Sequence, residues 1–236
     1  MDASLARRSL FLVAVCCLLA ACGHASPPAR SRAALIQPHR IVVFGDSLAL
    51  GYGASDPAKG FLFVLFRRVQ QRDANAIITN YAVGGARIED VVNVELGRAQ
   101  AEPATDVWLC VGGNDVTHGT PASRFASDYR AALDSVRRRW PRAKIIAFGV
   151  PDVSRSPLFV GSTRVGLHAL AAADDQAAKS AASKSGAGFV DLFSLGSRIV
   201  GARDFSADNF HPSDAGYATL AAFAEPTVLR TAFGDR

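Results

Sequence analysis

Cysteine is scarce and poorly placed for crosslinking: Cys16, Cys17 and Cys22 crowd the N-terminus, and Cys110 stands alone in the body of the chain. With the N-terminal segment removed, no disulfide framework can form, and the fold must be held by its core. Cys110 lies inside the apolar run Val107-Trp108-Leu109-Cys110-Val111, the setting of a small buried hydrophobe. The apolar stretch from Leu10 to Ala21 is shorter than the roughly 20 residues needed to cross a bilayer as a helix. Neither sign of charge dominates: the formal net charge of +5 falls to +4 without Asp2, Arg7 and Arg8. That excludes a strongly basic nucleic-acid binder, and the densest basic run, Arg137-Arg138-Arg139, reads as a solvated helix end whose cations complement the helix dipole. His-Glu-x-x-His, paired Cys-x-x-Cys and Walker-type loops are missing, so no metal, nucleotide or other cofactor is implied. There is no internal repeat.

What is present suits one globular domain with a short appendage: 236 residues, of which 49% are hydrophobic and 20% charged. Arg7 and Arg8 precede the Leu10–Ala21 stretch as the basic start of a signal peptide precedes its apolar centre. The stretch closes on Leu19-Ala20-Ala21-Cys22, which resembles the lipobox of bacterial lipoproteins. That resemblance implies a signal over 1–21, a lipidated Cys22, and an exported protein anchored in a bacterial cell envelope; the alternative is plain secretion with cleavage near Ala25. The arginine pair does not decide between the general and twin-arginine export routes. Residues 22–38 then form a Ser-, Pro- and Arg-bearing tether without apolar period, and the domain is expected over 39–236.

From His39 onward, strand-length apolar runs alternate with helical patterns. Expected strands are Ile41–Phe44, Ala76–Ile78, Val107–Val111, Ile145–Phe148 and Phe189–Val190. Continuous apolar strands are what a parallel sheet covered on both faces requires. Phe61, Leu62, Leu65, Phe66 and Val69 fall on one helical face, as do Phe125, Tyr129, Leu133, Val136 and Trp140, and both stripes read as core. Thr120-Pro121 is expected to cap the second of these helices and begin its first turn, and Gly186 to end a long Ala-rich helix starting near Gly161. The alternation indicates a three-layer α/β/α domain with right-handed crossovers, in which ligands bind beyond the carboxyl ends of the strands.

Polar residues gather at those ends. The first strand leads into Gly45-Asp46-Ser47-Leu48, the second into Asn80-Tyr81-Ala82-Val83-Gly84-Gly85, and the third into Gly112-Gly113-Asn114-Asp115, while Asp208-Asn209-Phe210-His211 precedes the last helix. A serine hydroxyl is a weak nucleophile that needs an imidazole to take its proton, and the imidazole needs a carboxylate to fix its tautomer. Asp208 and His211 are close enough in sequence to work as that pair, and the helical turn expected after Ser47 would favour negative charge there. Asp46 and Asp115 read as loop residues accepting backbone hydrogen bonds. His118 falls near the expected mouth but reads as an exposed loop residue, and His24, His39 and His168 are poorly placed as bases.

Taken together and in order, these four blocks resemble the SGNH subgroup of the GDSL hydrolases, and the likeness spans residues 39–236. The resemblance implies a flavodoxin-like fold with a mainly five-stranded parallel sheet. It implies Ser47 as nucleophile, Asp208 and His211 completing the triad, and an oxyanion hole from the Ser47 and Gly85 N–H groups and the Asn114 amide. Gly85 is chosen over Gly84 because the family places this glycine five residues after an asparagine, here Asn80. A glycine there is expected to let the backbone approach closely. The surroundings of Ser47 are not Gly-x-Ser-x-Gly, which argues against an α/β-hydrolase elbow.

The expected activity is hydrolysis of a carboxylic ester, thioester or lysophospholipid through an acyl-serine, in a pocket bordered by Val116, Leu158, Phe159 and Val160. One alternative is an O-deacetylase of cell-wall or extracellular carbohydrate. Another is a non-catalytic envelope lipoprotein that binds an acyl or glycan ligand in the same cleft.

Overall fold

Five strands form one parallel sheet in the order β2-β1-β3-β4-β5: β1 (Arg40–Gly45), β2 (Ile77–Asn80), β3 (Asp106–Cys110), β4 (Lys144–Phe148) and β5 (Gly188–Val190). This is the flavodoxin-like order, in which the chain reverses direction across the sheet between β1 and β3. The computed structural model describes residues 37–196 and 201–234. The expected signal segment, Cys22 and most of the tether lie outside the described residues.

Successive strand residues point to opposite faces, and both faces are covered. Val42, Phe44, Val107, Leu109, Ile145 and Ala147 join one core cluster, whereas Ile41, Val43, Trp108, Cys110, Ile146 and Phe148 join the other. The first cluster is closed by three segments. One is an irregular helical stretch made of α3 (Ile88–Asp90), a π-helical turn (Val91–Glu95) and α4 (Leu96–Arg98); the others are α6 (Ala122–Arg139) and α7 (Gly161–Ser185). The second is closed by α2 (Phe61–Gln70) and α9 (Asp214–Phe233). Double coverage explains why β1, β3 and β4 read as unbroken apolar runs. At the sheet edge, β2 has an exposed Ile77 and starts one residue later than expected. Cys110 is free and fully buried, as its sequence setting implies.

Two local expectations need correction. Pro121 is the N-cap of α6 rather than its first helical residue, and the helix has no side-chain cap; the Thr120 hydroxyl turns inward instead. Arg137 and Arg139 are not freely solvated. Arg137 donates to the carbonyls of Ala143 (2.8 Å) and Ser185 (2.9 Å), and Arg139 to that of Leu96 (2.6 Å), fastening α6 to its neighbours. Gly186 ends α7 in the left-handed conformation, as expected.

Candidate active site

The crevice between the carboxyl ends of β1 and β3 holds the expected residues. Gly45 ends β1 with φ near +149°, a backbone shape closed to most side chains, and a Cβ there would stand 1.9 Å from the Cys110 carbonyl oxygen. Asp46 follows as N-cap of the four-residue α1 (Ser47–Leu50), its carboxylate accepting from the Leu48 N–H at 2.9 Å. Ser47 is therefore the first residue of α1, with a backbone N–H that has no acceptor within the helix.

His211 Nε2 lies 2.8 Å from Ser47 Oγ, and His211 Nδ1 lies 2.6 Å from Asp208 Oδ2. The two residues sit on a loop closed on itself: Ser206 N–H donates to the His211 carbonyl at 2.8 Å, and Phe205 pairs with Pro212. Asn209, between them, takes the left-handed conformation with φ 57°. Asp208 Oδ1 accepts from the Ser206 hydroxyl (2.7 Å) and from the backbone N–H groups of Phe210 (2.8 Å) and His211 (2.9 Å). Partial desolvation pushes the Asp208 carboxyl up, but these hydrogen bonds and that of His211 outweigh it and hold it far below the ordinary carboxylate range. Asp208 is thus the charged acceptor that fixes the imidazole with its Nε2 toward Ser47.

Across the crevice, the Asn114 side-chain amide donates one hydrogen to the Ala86 carbonyl at 3.0 Å, and Asp115 Oδ2 accepts from the Ile88 N–H at 2.9 Å. The residues after β3 thereby clamp the turn that carries Gly85. One amide hydrogen of Asn114 is left for a ligand. A Cβ at Gly85 would meet nothing within 4 Å, and its requirement is φ +83°; the close approach is at Gly84, where a Cβ would stand 2.9 Å from the Tyr52 hydroxyl. His118 ends α5 (Gly113–His118), exposed, with Nδ1 2.8 Å from the Asn114 carbonyl oxygen.

Sequence reasoning missed Glu95. It is fully buried on the π-helical turn, and its Oε2 accepts from the Gly45 N–H at 2.8 Å, just under the nucleophile loop. Burial pushes its carboxyl up to about 8, with the like charges of Asp46 and Asp90 adding to the effect. Burial likewise raises Asp46 to about 7 and Asp115 to about 6. No periodic signal marks Glu95, because the π-helical turn breaks the helical pattern and its partner is fifty positions away in sequence.

A cavity of about 90 Å³ opens beside Ser47 and Asn114, walled by Leu48, Val153, Leu192, Phe205, Phe210 and Leu220. The expected wall is not the observed one. Val116 is core, Leu158 and Val160 point to solvent, and Phe159 reaches the cavity only by packing edge-on to Phe210 at 6.3 Å. Its apolar residues come instead from segments far apart in sequence, which local pattern cannot bring together. Asp152 and Arg155 border the same cavity, Asp152 being tied to His168 Nδ1 at 2.9 Å. Among the described residues, no group of three or more His, Cys, Asp or Glu is arranged to hold a metal ion.

Residues 43–219 match the model of the GDSL-like lipase/acylhydrolase family. The chain belongs to that family. No curated protein matches the sequence. Among solved structures, this GDSL hydrolase resembles a lipolytic G-D-S-L family protein from Veillonella parvula (20% identity, TM-score 0.63, covering 79% of this chain and 96% of that one). It also resembles the extracellular lipase of Streptomyces rimosus (17%, 0.59, 82% and 99%) and an acetyl xylan esterase from Geobacillus stearothermophilus (15%, 0.62, 80% and 94%). At these identities the likeness is one of fold, and the three share the α/β SGNH architecture with this chain. The family is one of ester-hydrolysing lipases and acylhydrolases.

Proposed function

We propose that this GDSL hydrolase cleaves carboxylic esters of short acyl groups through an acyl-Ser47 intermediate. The observation that carries the reading is the hydrogen-bonded line from Ser47 Oγ through His211 to Asp208, with distances of 2.8 and 2.6 Å, at the end of the first strand. Ser47 Oγ attacks the ester carbonyl as its proton passes to His211 Nε2. The tetrahedral oxyanion meets the N–H groups of Ser47 and Gly85 and the remaining Asn114 amide hydrogen. His211 then gives its proton to the departing alcohol, and a water activated by the same imidazole hydrolyses the acyl-serine. Asp208 stays ionised throughout and stabilises the imidazolium.

The short acyl group is supported by the size of the apolar cavity. At about 90 Å³ it is smaller than the roughly 150 Å³ of an apolar cavity that holds a benzene ring, which suits a short acyl chain. Turnover of p-nitrophenyl esters from acetyl to palmitoyl tests this: kcat/KM is expected to peak at four carbons or fewer and fall steeply beyond, and a maximum at long chains refutes it. Burst kinetics and fluorophosphonate labelling are expected in the wild type and lost in Ser47→Ala. A folded wild type that neither turns over nor labels would instead be a binding protein using the same cleft.

We also propose that the protein acts in a bacterial cell envelope, held by a lipid on Cys22. Cys22→Ser is expected to move it from the membrane fraction to the soluble one; an unchanged distribution refutes the anchor.

A further inference from the structure

A second opening lies on the other side of His211, and one side chain dominates it. Tyr52 is 51% exposed, yet its backbone is held firmly. Its N–H donates to the Ser47 carbonyl at 3.0 Å, and its carbonyl accepts from the buried Tyr217 hydroxyl at 2.6 Å. Gly51 and Gly53 flank it, both with positive φ, and a Cβ on Gly53 would stand 2.7 Å from His211 Cβ. The backbone therefore sets where the ring leaves the chain, beside His211. It meets the His211 imidazole edge-on at 5.8 Å, and its hydroxyl reaches to Gly84, the neighbour of the Gly85 N–H. That hydroxyl makes no hydrogen bond with another described residue.

The cleft under this ring has a volume of about 560 Å³, far more open than the acyl cavity, and is walled by Tyr52, Ala54, Pro57 and Phe63 with Asp208 and His211 at its floor. In the hydrolase mechanism, His211 Nε2 protonates the departing alcohol, so that alcohol must leave on the imidazole side of Ser47. His211 lines this cleft as well as the acyl cavity, and beside it stand a half-exposed aromatic ring and room for a ring-sized group, whereas Ser47 and Asn114 line the acyl cavity alone. The small apolar cavity takes the acyl half of the ester.

We infer that Tyr52 selects the alcohol half of the substrate, favouring a hydroxyl-bearing ring such as a sugar unit, which lies against the tyrosine ring and hydrogen-bonds to its hydroxyl. This rests on the hydrolase reading and sharpens it toward short acyl esters of cyclic, polar alcohols. Stacking and a single neutral hydrogen bond are each worth about two- to tenfold in rate.

The test is a ratio. Acetate esters of a methyl pyranoside and of phenol are compared with an acyclic ester, 2-methoxyethyl acetate, in the wild type, Tyr52→Phe and Tyr52→Ala. In Tyr52→Ala, the kcat/KM preference for both ring alcohols over the acyclic one is expected to fall about tenfold. Tyr52→Phe is expected to keep the preference for phenyl acetate and to lose about fivefold on the pyranoside acetate. A merely structural role would lower all three rates together and leave the ratios unmoved, and that outcome overturns the assignment. Should Tyr52→Ala not fold, the Tyr52→Phe comparison decides alone, since it keeps the ring. A wild type that is not labelled by a fluorophosphonate marks failure of the hydrolase reading; a labelled, active wild type with unmoved ratios marks failure of the Tyr52 assignment only.

Discussion

Replacing Glu95 with glutamine separates its two duties, because an amide oxygen can still accept the Gly45 N–H bond while the proton equilibrium disappears. Burial, helped by Asp46 and Asp90, raises the folded-state pKa of Glu95 from 4.5 to about 8. Between those values the folded protein holds a proton that the unfolded chain has released, so stability from this group is full below pH 4.5, declines as pH rises, and levels off above about 8. At about 1.4 kcal/mol per unit of displacement, the decline approaches ~5 kcal/mol across the window. Glutamine is spared it. At pH 5 the variant is expected to be about 1–2 kcal/mol less stable than the wild type, because its NH₂ takes the place of Oε1, which has no partner in the fold. The order should reverse by pH 8.5. Asp115, Asp174 and Asp175 are raised in the same direction but are common to both proteins, so they cancel in the difference, while Asp46, relieved of the Glu95 charge in the variant, adds to the same reversal at high pH. Urea unfolding of both proteins at pH 5, 7 and 8.5 reads that difference directly, and two parallel stability profiles would refute the buried, proton-bearing assignment of Glu95.

Asp208→Asn is expected to fold normally and lose about 10⁴ in kcat, because the carboxylate that fixes the His211 tautomer and stabilises its cation is gone; p-nitrophenyl acetate turnover checks it, and a loss under tenfold would remove Asp208 from the triad. Asn114→Ala is expected to cost about 10²–10³ in kcat through the missing oxyanion donor, with a lowered melting temperature from release of the Ala86 carbonyl, both measurable on the same preparation. Gly45→Ala should give no soluble folded protein, since its Cβ would overlap the Cys110 carbonyl at 1.9 Å in a positive-φ backbone; a soluble variant with near wild-type melting would contradict the described end of β1.

The sheet was legible because its central strands are buried on both faces and must be apolar throughout, so Val42–Phe44, Val107–Cys110 and Ile145–Phe148 announce themselves without alternation. Ser47 and Asn114 were legible because each is polar where an apolar strand ends, and Asp208 and His211 through the ordered blocks that resemble the SGNH hydrolases. Asp46 and Asp115 were legible as acceptors of backbone hydrogen bonds, which they take from Leu48 and Ile88, whereas Glu95 was not, because its contact with Gly45 is set by tertiary approach rather than by spacing. The acyl cavity was misread for the same reason: Leu158 and Val160 are apolar but point outward, while Leu192 and Leu220 reach inward from segments far along the chain. Gly85 calls for glycine through its positive φ, a requirement that sequence does not separate from lack of space.

The buried carboxylates around the site share one physical origin. Where parallel strands end, the backbone N–H groups of the departing loops lose their ladder partners and yet stay out of water, so something buried must accept from them. Here carboxylates do so: Asp46 for Leu48, Glu95 for Gly45 and Asp115 for Ile88. A carboxylate is a strong acceptor, and each one fixes a loop carrying a site group, but its burial raises its pKa and makes ionisation costly. The backbone hydrogen bonds favour the ionised form and burial the protonated one; burial wins, so the fold as a whole is more stable while these groups keep their protons. The Asp208 carboxylate differs because three donors besides His211 surround it and hold it ionised. The same side chain thus does opposite work on the two sides of Ser47: buried, raised in pKa and loop-holding beneath it, half-exposed, ionised and imidazole-holding beyond it, with the balance of burial against hydrogen bonds deciding which.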